Sequence, residues 1–178
     1  RDLLATIDAV VDHHLAGTRF GIRVDDDGLI THGAAGWALT WMDARVDGQP
    51  ITQRAGKPIE VNALWISGLA SAARIAAAAG KSGDRFEQLL RRAQAGFGAR
   101  FRSGGDGLFD VVAGLGGDDA TVRPNQLLAA AIADVPLSCH DRLAVVRASE
   151  SLRTSIGLRS LDPSDAAFRG RHRGSSAD

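Results

Sequence analysis

The sequence predicts an all-α fold of about five helices joined by long connections. Two observations lead to it. Apolar residues recur at three- and four-residue spacing in several separate stretches, whereas only one short run alternates with the period of two that marks a half-buried strand. The intervals between the helical stretches are punctuated by Gly, Pro and Asp and hold no period. The order helix, long loop, helix, short loop suggests helical hairpins arranged about an axis, with functional loops gathered at one end.

Taken in order, Leu3, Ile7, Val10, Val11 and His14 predict a helix over residues 2–16 that ends at Gly17. Phe20, Ile22 and Val24 alternate with polar or small residues and predict a short strand. Asp25, Asp26, Asp27 and Gly28 then turn the chain. From Leu29 to Pro58 no period holds, and the stretch carries Trp37, Trp41 and the glycines 33, 36, 48 and 56. Connections of that length are functional or disordered, and its aromatic content argues against disorder. Pro58 suits the first turn of a helix that Val61, Leu64, Trp65, Leu69, Ala72, Ile75, Ala76 and Ala79 continue to a stop at Gly80. Asp84 and Glu87 have the spacing of a capping box for a helix with Phe86, Leu89, Leu90, Ala93 and Phe97 on its apolar face. Leu108–Val112 reads as a short extended piece. Helices follow over residues 124–134 and from Ser138, boxed by Asp141. Residues 1–159 thus form the folded domain, and 160–178, polar and rich in Gly, Arg and Ser, are expected to be a mobile tail.

Composition narrows the function. Of 178 residues, 44% are hydrophobic, enough for an ordinary core. Lys+Arg and Asp+Glu both number 21, so there is no electrostatic case for nucleic acid or an anionic membrane. Neutrality suits a neutral ligand such as a sugar. A single cysteine, Cys139, allows no internal disulfide and suits a reducing, cytoplasmic compartment; it reads as a small buried hydrophobe. No apolar run is read as approaching the ~20 residues that span a bilayer. His13 and His14 are adjacent on a helix and point apart, Asp25–Asp27 lacks the EF-hand pattern, and Gly114–Gly117 lacks the Gly-Lys-Ser/Thr ending of a phosphate loop. No metal or cofactor is called for. Arg169, Arg171 and Arg173 read as a solvated basic tail.

The segment with the strongest chemical signal runs from Thr40 through Trp41, Met42 and Asp43 to Ala44, followed by Arg54, Gly56, Lys57, Pro58, Glu60, Asn62 and Trp65. An apolar wall raises a carboxyl pKa, which is how a carboxylic acid stays protonated to act as a general acid near neutral pH. Indole faces stack on the apolar faces of sugar rings. An acid beside tryptophans on a long loop therefore fits glycoside hydrolysis. Arg54, Lys57, Glu60 and Asn62 add groups able to bond sugar hydroxyls. The same residues fit a packed tryptophan beside a solvated aspartate, and the residue pattern alone leaves both readings open.

The Thr40–Ala44 run, the Arg54–Trp65 run, Arg123-Pro124-Asn125-Gln126, and the ending Gly157–Pro163 with Phe168-Arg169-Gly170 resemble the C-terminal glucosidase domain of glycogen debranching enzymes, the amylo-α-1,6-glucosidase family. The resemblance covers most of the chain in the family's order. It implies an (α/α)6 barrel, of which residues 1–159 would be a part, and inverting hydrolysis of α-1,6-glucosidic branch points in glycogen-like glucans. It implies Asp43 as general acid, with Trp41 against the glucosyl unit and Arg54, Lys57, Glu60, Asn62, Arg123 and Asn125 as substrate contacts. The family often has Pro where this chain has Gln53, and Tyr where it has Ile66. An inverting enzyme needs a second carboxylate roughly 6.5–9.5 Å from the first; in the family that base comes late. The chain starts without Met and holds about five helices by this reading, so an incomplete barrel is expected, inactive alone and prone to self-association through uncovered helix faces. Glu60 is within reach as a base, but a contact or structural role is preferred. Alternatives are a non-catalytic carbohydrate-binding module and a glucoamylase- or trehalase-like enzyme of different linkage preference.

Overall fold

A computed structural model describes residues 3–171. Asp2, where the first helix was expected to begin, and Arg173 of the basic tail lie outside the described residues. The fold is mixed α/β, which corrects the all-α expectation: three small antiparallel sheets accompany the helices. The physical reason is strand length. β1 (Arg23–Val24), β2 (Ile30–Thr31), β3 (Arg45–Val46), β4 (Gln49–Pro50) and β5 (Lys57–Pro58) are each too short for a period-two pattern to appear in sequence.

The first helix, α1, spans Leu3–Ala16 and ends where Gly17 adopts a positive φ and its N–H returns to the His13 carbonyl. The expected strand after it survives only as β1, because residues 19–21 form a 3-10 turn. β1 pairs with β2 across the Asp25–Gly28 turn, closed by the Gly28 N–H on the Asp25 carbonyl. β3 and β4 make a hairpin whose Asp47 and Gly48 both have positive φ. β5 leads through Pro58 into α2 (Ile59–Ala78), the central helix. Helix α3 (Asp84–Arg100) follows; Gly83, not Asp84, occupies its N-cap, and no side chain caps it. β6 (Val111–Gly114) and β7 (Gly117–Asp119) form a hairpin, and β6 also pairs with β5. The pairing of β5 with β6 brings residue 57 beside residue 112, across more than fifty residues of chain. Helix α4 (Asn125–Ala131) and helix α5 (Cys139–Ala148) complete the order, α5 with the expected Ser138–Asp141 capping box. Cys139 is exposed there, which corrects its reading as a buried residue.

The core gathers Ile59, Ala63, Ile66 and Leu69 of α2 against Phe86, Ala93 and Phe97 of α3, with Leu29, Phe101, Val112 and Val145 fully enclosed. By length and composition α2 could cross a bilayer, a correction to the sequence reading; here it is a core helix whose first turn buries Glu60 and Asn62. Gly96 lets α3 lie directly on the acidic turn, since a Cβ at that position would fall onto the Asp27 carbonyl oxygen. Between α1 and α2 an apolar groove stays open, lined by Ile7, Val10, Leu64 and Leu69. Within the expected tail, Asp162 donates its backbone N–H to Val122 at 3.1 Å and accepts from the Ser151 hydroxyl.

Candidate active site

Arg54 is the hub of the buried polar groups. Its backbone takes a positive φ of 42°, unusual for a side-chain-bearing residue, and this turns the guanidinium inward. There it donates to both Glu60 oxygens at 2.6 Å and to the two Asp110 oxygens at 2.6 and 3.0 Å. All three side chains are at most 4% exposed. Burial by itself would lower the Arg54 pKa, but hydrogen bonds and charge from Glu60 and Asp110 hold it above its usual value. Burial pushes the Asp110 carboxyl up, against the pull of Arg54, Asn125 and Arg123. Arg123 approaches Asp110 at 3.6 Å and donates to the Ser160 carbonyl at 3.2 Å. Arg54 and Arg123 balance Glu60 and Asp110, so the buried cluster is neutral, the condition under which charges persist in a core.

The remaining members of the second motif are likewise occupied within the chain. Lys57 is buried and bridges Asp27 at 2.6 Å and Asp25 at 3.0 Å, holding the acidic turn; its hydrogen bond keeps the Asp25 carboxyl below the usual carboxylate range. Asn62 is fully buried, accepts from the Ile30 N–H at 2.7 Å, and donates to the carbonyls of Ile30 and Pro58 at 3.0 Å. Trp65 is buried, donating to the Gly28 carbonyl at 3.2 Å and stacking on His14. Ile66 is fully buried, so the residue that differs from the family there belongs to the core and not to a sugar contact. The structure thus brings Arg54, Glu60, Arg123 and Asn125 together around Asp110, while Lys57 and Asn62 serve the β1–β2 hairpin.

Asp43 stands apart from this cluster. It is exposed on the loop before β3, and among the described residues no hydrogen bond or ion pair holds its carboxylate. The apolar enclosure anticipated from Trp41 and Met42 does not form around it. Trp41 is 57% exposed and instead directs its indole N–H to Asn125 Oδ1 at 2.8 Å. With Pro124, Asn125, Leu127, Leu128 and Leu158, Trp41 lines a shallow cavity of about 310 Å3. Trp37 packs on Phe20 and beneath Arg45, at the other end of the loop.

Two buried groups escaped the sequence reading. Asp110 sits in the run taken only as an extended piece, with no local signal that the β5–β6 pairing would set it against Arg54. His32 is 6% exposed with neither ring nitrogen hydrogen-bonded; burial and the Arg54 charge push its pKa down, against Glu60. Its backbone exchanges two hydrogen bonds with Gly56, at 2.9 and 2.8 Å. Gly56 is required there, because a Cβ would meet the Val112 carbonyl at 2.8 Å. His32, Gly33, Ala55 and Gly114 line a second open hollow of about 390 Å3.

Comparison with protein families gives one assignment: the family described as amylo-alpha-1,6-glucosidase matches residues 1–178. No curated protein matches the chain.

Proposed function

The chain belongs to the amylo-alpha-1,6-glucosidase family, and from that premise we propose that it supplies the general acid for inverting hydrolysis of α-1,6-glucosidic branch points in glycogen-like glucans. The observation that carries the reading is the standing of Asp43. It lies in the Thr40–Ala44 run, exposed and, among the described residues, unpaired, two residues after a tryptophan that lines an open apolar cavity.

In this mechanism the protonated Asp43 gives its proton to the glycosidic oxygen as the bond to C1 breaks, and water, losing its proton to a carboxylate base, enters C1 from the opposite face. Trp41 packs the apolar face of the glucosyl unit. The bound sugar then supplies the enclosure that the free site lacks and excludes water from the carboxyl. Arg54 and Glu60 support the loop through Asp110 and Asn125, while Lys57 and Asn62 hold the β1–β2 hairpin. Glu60 and Asp110 are both committed to Arg54, and neither is assigned as the base that activates water.

The full-length protein tests the reading on an oligosaccharide carrying a single α-1,6-glucosyl stub. Free glucose is expected, appearing first as the β anomer by NMR. Binding of a malto-oligosaccharide by calorimetry with no release would instead make this a binding module. Faster cleavage of α-1,4 or trehalose linkages would assign a different glycosidase.

A further inference from the structure

We propose that Asn125, locked by Asp110, is a positioning residue for the loop that carries Asp43; the catalytic part of this inference rests on reading Asp43 as the acid. Asn125 is fully buried at the start of α4. Its neighbours fix which way the amide faces. The Trp41 indole can only donate, and a carboxylate can only accept. Oδ1 therefore takes the Trp41 N–H at 2.8 Å, and Nδ2 donates to Asp110 Oδ1 at 2.7 Å and faces Met42 Sδ at 3.6 Å. Asp110 is itself oriented by the Arg54 guanidinium, which Glu60 holds from the other side. The chain of contacts Glu60, Arg54, Asp110, Asn125 thus ends on Trp41 and Met42, the two residues immediately before Asp43.

No other side-chain hydrogen bond ties residues 40–44 to the rest of the described residues. Both ends of the Asn125 amide are engaged within the chain, and the residue is fully buried, so it is not presented to a substrate hydroxyl. It acts through the loop: it turns the indole so that its ring lines the cavity with Pro124 and Leu128, and it sets where the backbone delivers Asp43. Asp110 contributes by forbidding the flipped amide, in which a carbonyl would face a carboxylate and the indole would lose its acceptor.

The test uses the full-length protein with indole 15N labelling and the variants Asn125→Ala, Asn125→Asp, Trp41→Phe and Asp43→Asn. Trp41→Phe alters an exposed ring and keeps the fold, so a result is obtained even where Asn125→Ala folds poorly. The Trp41 indole N–H is expected to exchange slowly with solvent, and about five- to tenfold faster in Asn125→Ala, the equivalent of one hydrogen bond. Glucose release is expected to lose on the order of 10- to 100-fold in kcat with KM little changed. The Trp41→Phe/Asn125→Ala double variant should be no slower than Asn125→Ala, since both break one link. Asn125→Asp should behave as Asn125→Ala, its carboxylate opposing Asp110. Unchanged indole exchange in Asn125→Ala, fully additive losses, or wild-type behaviour of Asn125→Asp would overturn the proposal. Retention of glucose release by Asp43→Asn, with faster indole exchange still seen in Asn125→Ala, would remove the acid assignment and leave the clamp standing.

Discussion

Residues 54–62 and residues 40–44 carry the two halves of one motif set and treat their polar groups in opposite ways. Arg54, Lys57, Glu60 and Asn62 are each at least nine-tenths buried, and each has its charge or amide answered within the chain. Asp43 is exposed and, among the described residues, unanswered, and the side-chain hydrogen bonds that tie residues 40–44 to the rest of them run through the Asn125 amide. The difference separates two reasons for a polar residue to recur in a motif. Groups that are paired and enclosed hold the backbone in place, whereas an exposed carboxyl group that no partner engages is available for chemistry.

The deepest break in that comparison comes from Arg54→Ala. It leaves two buried carboxylates, Glu60 and Asp110, with only Arg123 at 3.6 Å from Asp110 to offset them, so a stability loss of about 3–5 kcal/mol is expected in chemical denaturation. Next is Gly96→Ala, which drives a methyl group onto the Asp27 carbonyl of the β1–β2 turn; about 1–3 kcal/mol is expected by the same measurement. Acidification acts on the buried side as well. The His32 pKa is pushed below its ordinary 6.5, so the unfolded chain takes up a proton that the folded chain resists. Stability therefore falls as the pH drops below about 6.5, with a slope of at most ~1.4 kcal/mol per pH unit from this one group. His32→Gln should flatten the denaturation midpoint across that range; an unchanged slope would assign the effect elsewhere. At the small end, Trp41→Phe on the exposed side should cost about 0.5–1.5 kcal/mol or less, one partly solvated hydrogen bond.

Sequence legibility divides along the same line. Helices were readable because α2 and α3 repeat their apolar spacing over several turns, and because Pro58, Gly80 and the Ser138–Asp141 box mark ends by local chemistry. Of the sheets only parts of β1 and β6 were readable, since the two-residue strands are specified by their partners and not by their own pattern. In the site, the motif residues were visible but their roles were not. Nothing near Glu60 in the sequence says that it faces Arg54 rather than a ligand, and Asp110 reaches Arg54 only through the β5–β6 pairing. Asn125 read as a hydroxyl contact because an amide at a helix start has either use; only the neighbours on both sides of it decide.

The most direct test of this division is Asp43→Asn in the full-length protein, with glucose release from an α-1,6-glucosyl stub measured beside the denaturation midpoint. An exposed group that no partner holds among the described residues should change stability by within about 0.5 kcal/mol, while loss of the general acid should slow release by on the order of 10²- to 10⁴-fold. Near-normal release by Asp43→Asn would contradict the account, as would a loss of activity that merely follows a loss of folding.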